Sequence, residues 1–376
     1  MPGDQTTAHS SYLLHRSPPV VAIVGATGAV GRELLGVLEN RRFPLADLRL
    51  FASPRSAGAA LSFAGGRVAV EPLSERSLGA VDLALFSAGS GVAREYAQSA
   101  VSNGAIVIDN SSAFRMDPEV PLVVPEINAE TIATHRGIIA NPNCAAIIAL
   151  VPLAHIHRHC RIRRVILATY QAASGGGAAA MQELLDATRA QLAGQPHTPR
   201  ALPHPYAFNL FSHNTPIDSE TGYNVEETKV IQEMRKILAD PEIGIGVTCI
   251  RVPVLRAHAL AITIECERRI TPEEARALLG NAPGVRLVDD RMTNHFPMPS
   301  EASGQDDILV GRIRTDVSDP TGRSLALFVV GDQLLKGAAL NAVQIAERLV
   351  GQEASPCQRK PHQRNLPCRD PSYRTR

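Results

Sequence analysis

The segment that most constrains this chain is Val20-Val21-Ala22-Ile23-Val24, which runs directly into Gly25-Ala26-Thr27-Gly28-Ala29-Val30-Gly31. Five apolar residues without alternation predict a strand covered on both faces, as a parallel sheet requires. After the glycines, residues 30–38 carry apolar side chains at helical spacing. A strand that ends in glycines and continues as a helix aims N–H donors and the positive end of a helix dipole at whatever lies beside the turn. Further apolar runs at 48–52, 81–87 and 105–109, with a helix over 91–103, continue the alternation. That pattern predicts a doubly wound α/β domain.

At 376 residues the chain exceeds what one core usually serves, so a second domain is expected. Past residue 144 the texture changes. An apolar helix over 145–158 precedes a strand at 164–171, a Gly-Ser turn at 174–177 and a helix over 178–192. A loop rich in Pro, His and Asn spans 194–222, and a charged helix covers 225–238. Strand-like segments at 247–254, 257–266 and 325–330 predict an α+β domain with a mixed sheet, and 333–350 reads as an amphipathic helix. The expected division is a flexible extension over 1–18, a nucleotide domain over 19–144 completed by the helix 333–351, a second domain over 145–332, and a basic tail over 352–376 with the composition of disorder.

The net charge of +1 gives no reason to expect nucleic acid or an anionic membrane as partner. No apolar run approaches the roughly 20 residues that span a bilayer. Residues 1–19 lack the pattern of a secretory signal, so a cytoplasmic location is expected. Six cysteines (Cys144, Cys160, Cys249, Cys266, Cys357 and Cys368) show no metal-type spacing, which predicts no metal site and a reducing compartment.

The glycine turn reads G-x-x-G-x-x-G, and its place between strand and helix makes it a Rossmann-type dinucleotide site. Gly25, Thr27, Gly28, Ala29 and Val30 are its candidates. An NAD site usually carries an acid about 20 residues further on. Here the stretch is Phe51-Ala52-Ser53-Pro54-Arg55-Ser56, without a carboxylate. Arg55 with Ser53 and Ser56 can hold a 2′-phosphate, so NADP is the expected cofactor. Ser87 and Gly89 close a later strand at the edge where ligands of such sheets lie.

Asn141-Pro142-Asn143-Cys144 precedes the apolar helix. A thiol there is expected to have its pKa lowered by the helix dipole, and Asn143 can cap the helix or donate to an oxyanion. A cysteine beside a helix is more often a small buried hydrophobe, the reading given to Cys160, Cys249 and Cys266. Arg251 and His258 flank a strand and a turn, and both reach one cleft if the turn folds back. An imidazole can serve a thiol as acid and base, and a guanidinium can grip a carboxylate. The chain has twelve histidines, and nothing local singles out His258.

Six segments carry a wider pattern: the glycine turn; Asp109-Asn-Ser-Ser-Ala-Phe-Arg-Met116; Asn141-Pro-Asn-Cys144; Thr169-Tyr-Gln-Ala-Ala-Ser-Gly-Gly-Gly177; Arg251-Val-Pro-Val-Leu-Arg-Ala-His258; and Lys336-Gly-Ala-Ala-Leu-Asn-Ala-Val-Gln-Ile-Ala-Glu347. In this order, over most of residues 20–350, they resemble the aspartate-semialdehyde dehydrogenase family. The resemblance implies an NADP-dependent enzyme of amino-acid biosynthesis that acts on small molecules as a homodimer or homotetramer. It makes Cys144 the nucleophile, His258 the acid/base and Gln171 the residue that orients the substrate. Arg251 would bind the substrate carboxylate, Glu226 its amino group, and Arg115 and Lys229 the phosphate. Ser174, Gly175 and Gln333 fall to the cofactor site. Without the family, Glu226 and Lys229 read as a helix-surface pair. Two departures stand out: Ala257 replaces the usual Gly before the histidine, and Gln333 replaces the commoner Asn. Alternatives are an N-acetyl-glutamyl-phosphate reductase, whose motif usually reads N-P-G-C, and a non-catalytic paralogue.

Overall fold

The structure is a computed structural model describing residues 13–14 and 17–352. Most of the expected extension 1–18, and the expected tail from 353 with Cys357 and Cys368, lie outside the described residues.

The first sheet is built from β1 (Val20–Val24), β2 (Asp47–Ala52), β3 (Ala60–Phe63), β4 (Gly66–Pro72), β5 (Leu83–Phe86), β6 (Ile106–Asp109) and β7 (Ile138–Ala140). Their order is β3-β4-β2-β1-β5-β6-β7, parallel except for β3. All five residues of β1 are buried, as its unbroken apolar run requires. The edge hairpin of β3 and β4 is additional to the expected strands: β3 has four residues, and β4 is largely exposed, with only Val70 buried.

The second sheet holds β8 (Ile162–Gln171), β9 (Phe211–Ser212), β10 (Gly244–Arg251), β11 (His258–Cys266), β12 (Val285–Leu287), β13 (Ile308–Thr315) and β14 (Ser324–Gly331). Its order, β12-β13-β14-β11-β8-β10-β9, mixes parallel and antiparallel pairs. The strand expected over 247–254 stops at Arg251, and β9, which lies within the expected loop 194–222, β12 and β13 are additions to the expectation.

The helices are α1 (Ala29–Asn40), α2 (Ser90–Ser102), the single turn α3 (Pro125–Asn128), α4 (Cys144–Cys160), α5 (Gly177–Leu192), α6 (Val225–Leu238), α7 (Pro272–Gly280), the turn α8 (Pro299–Ala302) and α9 (Leu340–Leu349). Helix α4 is apolar almost all round, with twelve buried residues, and packs in one hydrophobic cluster with side chains of both sheets. The helix expected over 333–350 begins instead with a π-helical turn, Leu335–Ala339, before α9. Leu14, inside the expected extension, donates from its backbone to Leu349 O at 3.0 Å.

Parallel pairing puts the carboxyl ends of β1, β2, β5, β6 and β7 at one edge. The segments that leave that edge are Gly25–Gly28, Ser53–Ser56, Ser87–Gly89, Asn110–Arg115 and Asn141–Cys144. In the second sheet, Arg251 pairs in register with Gln171, and His258 with Gly331. Two distant stretches of sequence thereby present their functional ends to each other.

Candidate active site

A cavity of about 300 Å³ lies where these ends meet. Cys144, Asn143, Gln171, Arg251, Glu226, Arg115, Lys229, Ser174, Gly175, Gln333 and Val30 all line it. Eleven residues singled out in the sequence therefore share one wall.

Cys144 is the first residue of α4. Asn143 caps the helix, its Oδ1 accepting from the N–H groups of Ala145 (2.8 Å) and Ala146 (3.4 Å). Its Nδ2 donates to Glu226 Oε1 at 2.9 Å, to which Gln171 Nε2 also donates at 3.3 Å. The expectation of a lowered cysteine pKa is corrected by these surroundings. Burial pushes the Cys144 thiol up to about 12 and Glu226 adds to the rise, while Arg115, Arg251 and the Ala145 N–H pull the other way. Desolvation outweighs the helix dipole here. For Glu226, burial opposes ionisation, but His213, the Asn143 amide, Lys229 and Gln171 together hold its carboxyl below the usual range. Glu226→Gln is therefore expected to lower the Cys144 pKa, because it removes a nearby negative charge. Iodoacetamide labelling of Cys144 should then rise at lower pH than in the unaltered protein. An unmoved or upward-shifted profile would contradict this.

Arg115 is held on three sides. Its Nε donates to Asn141 O (2.9 Å), Nη2 to Asn110 O (2.8 Å) and Nη1 to Glu233 Oε1 (3.0 Å). Glu233 Oε2 accepts the Asn143 N–H at 2.5 Å, so one buried carboxylate braces both the cysteine loop and the arginine. Sequence reasoning missed Glu233. A signal existed: Glu226 and Glu233 share the stripe of α6 with Val230, Met234 and Ile237, and acids on an apolar stripe need partners.

Arg251 Nε donates to Asn214 Oδ1 at 3.2 Å, whereas its Nη1 is buried without a partner. His258 is fully buried and stands behind Gly175 rather than among the residues lining the cavity. Its Nδ1 accepts the Ala172 N–H at 3.1 Å, which places the ring proton on Nε2. Burial, with Arg251 and His213 adding, keeps the imidazole pKa well below its usual value, so the ring is neutral. A Cβ on Gly175 would sit 2.9 Å from His258 Nε2 and 3.0 Å from Arg251 Nη1, so only glycine fits there. His213, another residue missed in the sequence, lines the cavity and is pushed down to about 4 by burial and Arg251.

The glycine turn fits a dinucleotide. A Cβ on Gly25, whose φ is +88°, would meet Ser87 C and O at 2.9 Å, and one on Gly31 would lie 2.3 Å from Gly25 O. The helix can approach the strand only because these residues are glycine. Gly28 caps α1, with Thr27, Ala29 and Val30 around the helix start. Ser53 and Arg55 are exposed just beyond β2, Ser56 is half-buried, Ser87 Oγ donates to Val24 O, and Gly89 precedes α2. Gln333 Oε1 accepts the Ala257 N–H at 3.1 Å, while its Nε2 and Ser174 Oγ are buried without partners. An amide donor left free beside the nucleophile suits a nicotinamide carboxamide. Ala257 itself holds φ +74°, in the region that favours glycine, which is the residue the family pattern has there.

The chain matches two family models, the semialdehyde dehydrogenase NAD binding domain over residues 20–135 and the semialdehyde dehydrogenase dimerisation domain over residues 152–336. An aspartate-semialdehyde dehydrogenase of Synechocystis is 52% identical over 89% of this chain and 98% of its own length. One from Prochlorococcus marinus is 49% identical over 89% of this chain and 96% of the relative. The crystal structure of aspartate semialdehyde dehydrogenase II from Vibrio cholerae, complexed with ASA, superposes with a TM-score of 0.86 at 42% identity, covering 89% of this chain and 98% of that one. With fold, site and relatives in agreement, this chain belongs to the aspartate-semialdehyde dehydrogenase family.

Proposed function

We propose that the protein reduces L-4-aspartyl phosphate to L-aspartate 4-semialdehyde with NADPH, releasing phosphate through a thioester on Cys144. The carrying observation is the shared cavity in which Cys144 meets Gln171, Arg251, Glu226, Arg115 and Lys229. The free Nη1 of Arg251 suits the substrate α-carboxylate, and the ionised Glu226 its ammonium group. Pairing with that ammonium neutralises the charge that adds to the effect of burial in keeping the thiol protonated, so the correct substrate removes one of the two causes that oppose the thiolate. Arg115 and Lys229 hold the phosphate, and Gln171 orients the acyl group.

Cys144 attacks the acyl carbon, and the Cys144 backbone N–H, with the second hydrogen of the Asn143 side-chain amide, serves the developing oxyanion, since the next two N–H groups of α4 are taken by the Asn143 cap. Residues 19–144 with 333–351 hold NADP, whose 2′-phosphate is read by Ser53, Arg55 and Ser56, and Gln333 receives the nicotinamide end. Bound NADPH supplies the hydride that the thioester carbonyl accepts. The alkoxide left by hydride addition collapses to the aldehyde and expels the Cys144 thiolate, to which the neutral His258 ring donates a hydrogen bond from Nε2–H; Gly175 admits that nitrogen to the substrate side. Residues 145–332 form the catalytic and dimerisation domain of a homodimer or homotetramer in the cytoplasm, which serves lysine, threonine, methionine and diaminopimelate biosynthesis.

Turnover with aspartate semialdehyde, phosphate and either NADP or NAD tests the reading. Phosphate-dependent oxidation with NADP preferred is expected, and faster turnover of N-acetyl-glutamate semialdehyde would overturn it.

A further inference from the structure

Cys144 and His258 each begin an element that ends in another cysteine. Helix α4 runs from Cys144 to Cys160, and strand β11 runs from His258 to Cys266. Seventeen helical residues and nine strand residues both cover roughly 25–30 Å. The far ends of the two elements lie together, with Cys160 Sγ and Cys266 Sγ 2.7 Å apart. Both thiols are free and buried.

Main-chain bonds fix this meeting. Glu267 N–H donates to Cys160 O at 3.3 Å and to Arg161 O at 2.9 Å, and Cys266 pairs in register with Ile162. A disulfide bond measures about 2.05 Å, so closure needs a movement of only roughly 0.7 Å. The flanking Arg161, Ile162 and Glu267 line an open cavity of about 600 Å³, which brings small solutes to within one residue of the pair. The Cys266 thiol and the nearby Arg268 guanidinium both favour the Cys160 thiolate over burial.

We propose that Cys160 and Cys266 are an oxidation site that closes to a disulfide and staples the catalytic helix to the catalytic strand. With hydrogen peroxide as oxidant, the Cys160 thiolate attacks one peroxide oxygen, giving a sulfenic acid and hydroxide. The Cys266 sulfur then attacks the Cys160 sulfur, and the S–O bond breaks with loss of water. Two thiols lose two electrons and two protons, and one peroxide becomes two waters. The bond closes a loop spanning 106 positions, a length at which a cross-link strongly restricts the unfolded chain.

The test uses the full chain carrying Cys144→Ser, so that the nucleophile does not consume the oxidant. After a peroxide pulse, a non-reducing peptide map should show one peptide pair joined through Cys160 and Cys266, lighter by two hydrogens. The oxidised protein should melt several degrees above the reduced one. That gain should vanish on adding Cys266→Ala and, independently, Cys160→Ala. The proposal fails if both thiols remain alkylatable after unfolding, if they oxidise singly to sulfinic acids, or if the linked protein melts no higher.

Discussion

Cys144→Ser is expected to lower turnover at least about 10³-fold while leaving cofactor binding nearly intact. The hydroxyl ionises far less readily than the thiol, and an oxygen ester accepts hydride less readily than a thioester. The site should otherwise survive. Asn143 still caps α4 through the Ala145 and Ala146 N–H groups, and Glu233 still holds the loop through the Asn143 N–H. The close approach of Gly337, where an added Cβ would lie 2.9 Å from Cys144 Cβ, is unchanged, because serine keeps that Cβ. Steady-state rates with aspartate semialdehyde, read beside a fluorescence titration of NADPH, separate chemistry from binding. Full activity in this variant would remove Cys144 from the mechanism.

Lys336→Met should cost about 3–5 kcal/mol of folding stability, a fall in melting temperature on the order of 10 °C. Lys336 sits in the π-helical turn with only 1% of its side chain exposed. Its Nζ reaches Glu126 Oε1 (2.7 Å) and Oε2 (2.6 Å), Asn341 Oδ1 (2.9 Å) and Gln344 Oε1 (2.6 Å). Methionine fills a similar volume but leaves the Glu126 carboxylate, itself 8% exposed, without its cation. The cost is that of an uncompensated buried charge rather than of lost packing. Adding Glu126→Gln to Lys336→Met should therefore recover much of the loss. If the double variant is no more stable than the single one, the charge account is wrong and packing is responsible.

The nucleotide half was legible because its strands are buried on both faces and its glycines have one steric reason for being there. The added strands were less so. Ala60–Phe63 and Val285–Leu287 are too short to show a period, and Ile308–Thr315 is interrupted by Gly311, Arg312 and Arg314. Helix α7, absent from the expected elements, carries a readable start, since Thr271 and Glu274 form a capping box around Pro272. In the site, Arg251 and Gln171 meet through strand register, and no local pattern announces which residue will pair with which. His258 could be named only by resemblance. The charge state of Cys144 could not be read at all: the dipole is visible in the sequence, but the burial and the Glu226 carboxylate that outweigh it come from elsewhere in the chain.

The return of the chain to its first domain governs the order in which the molecule can be made. Val21, Ile23, Leu34, Leu83 and Leu85 share one cluster with Leu340, Val343, Ile345 and Leu349, and Arg41 grips Glu347 through two nitrogens. When residue 144 leaves the ribosome, that apolar surface has no cover, and roughly 200 residues of a second domain must follow before it arrives. The nucleotide fold is thus completed last although it is synthesised first. Its waiting surface stays bare until α9 arrives, and a premature stop before α9 would leave that surface open to aggregation.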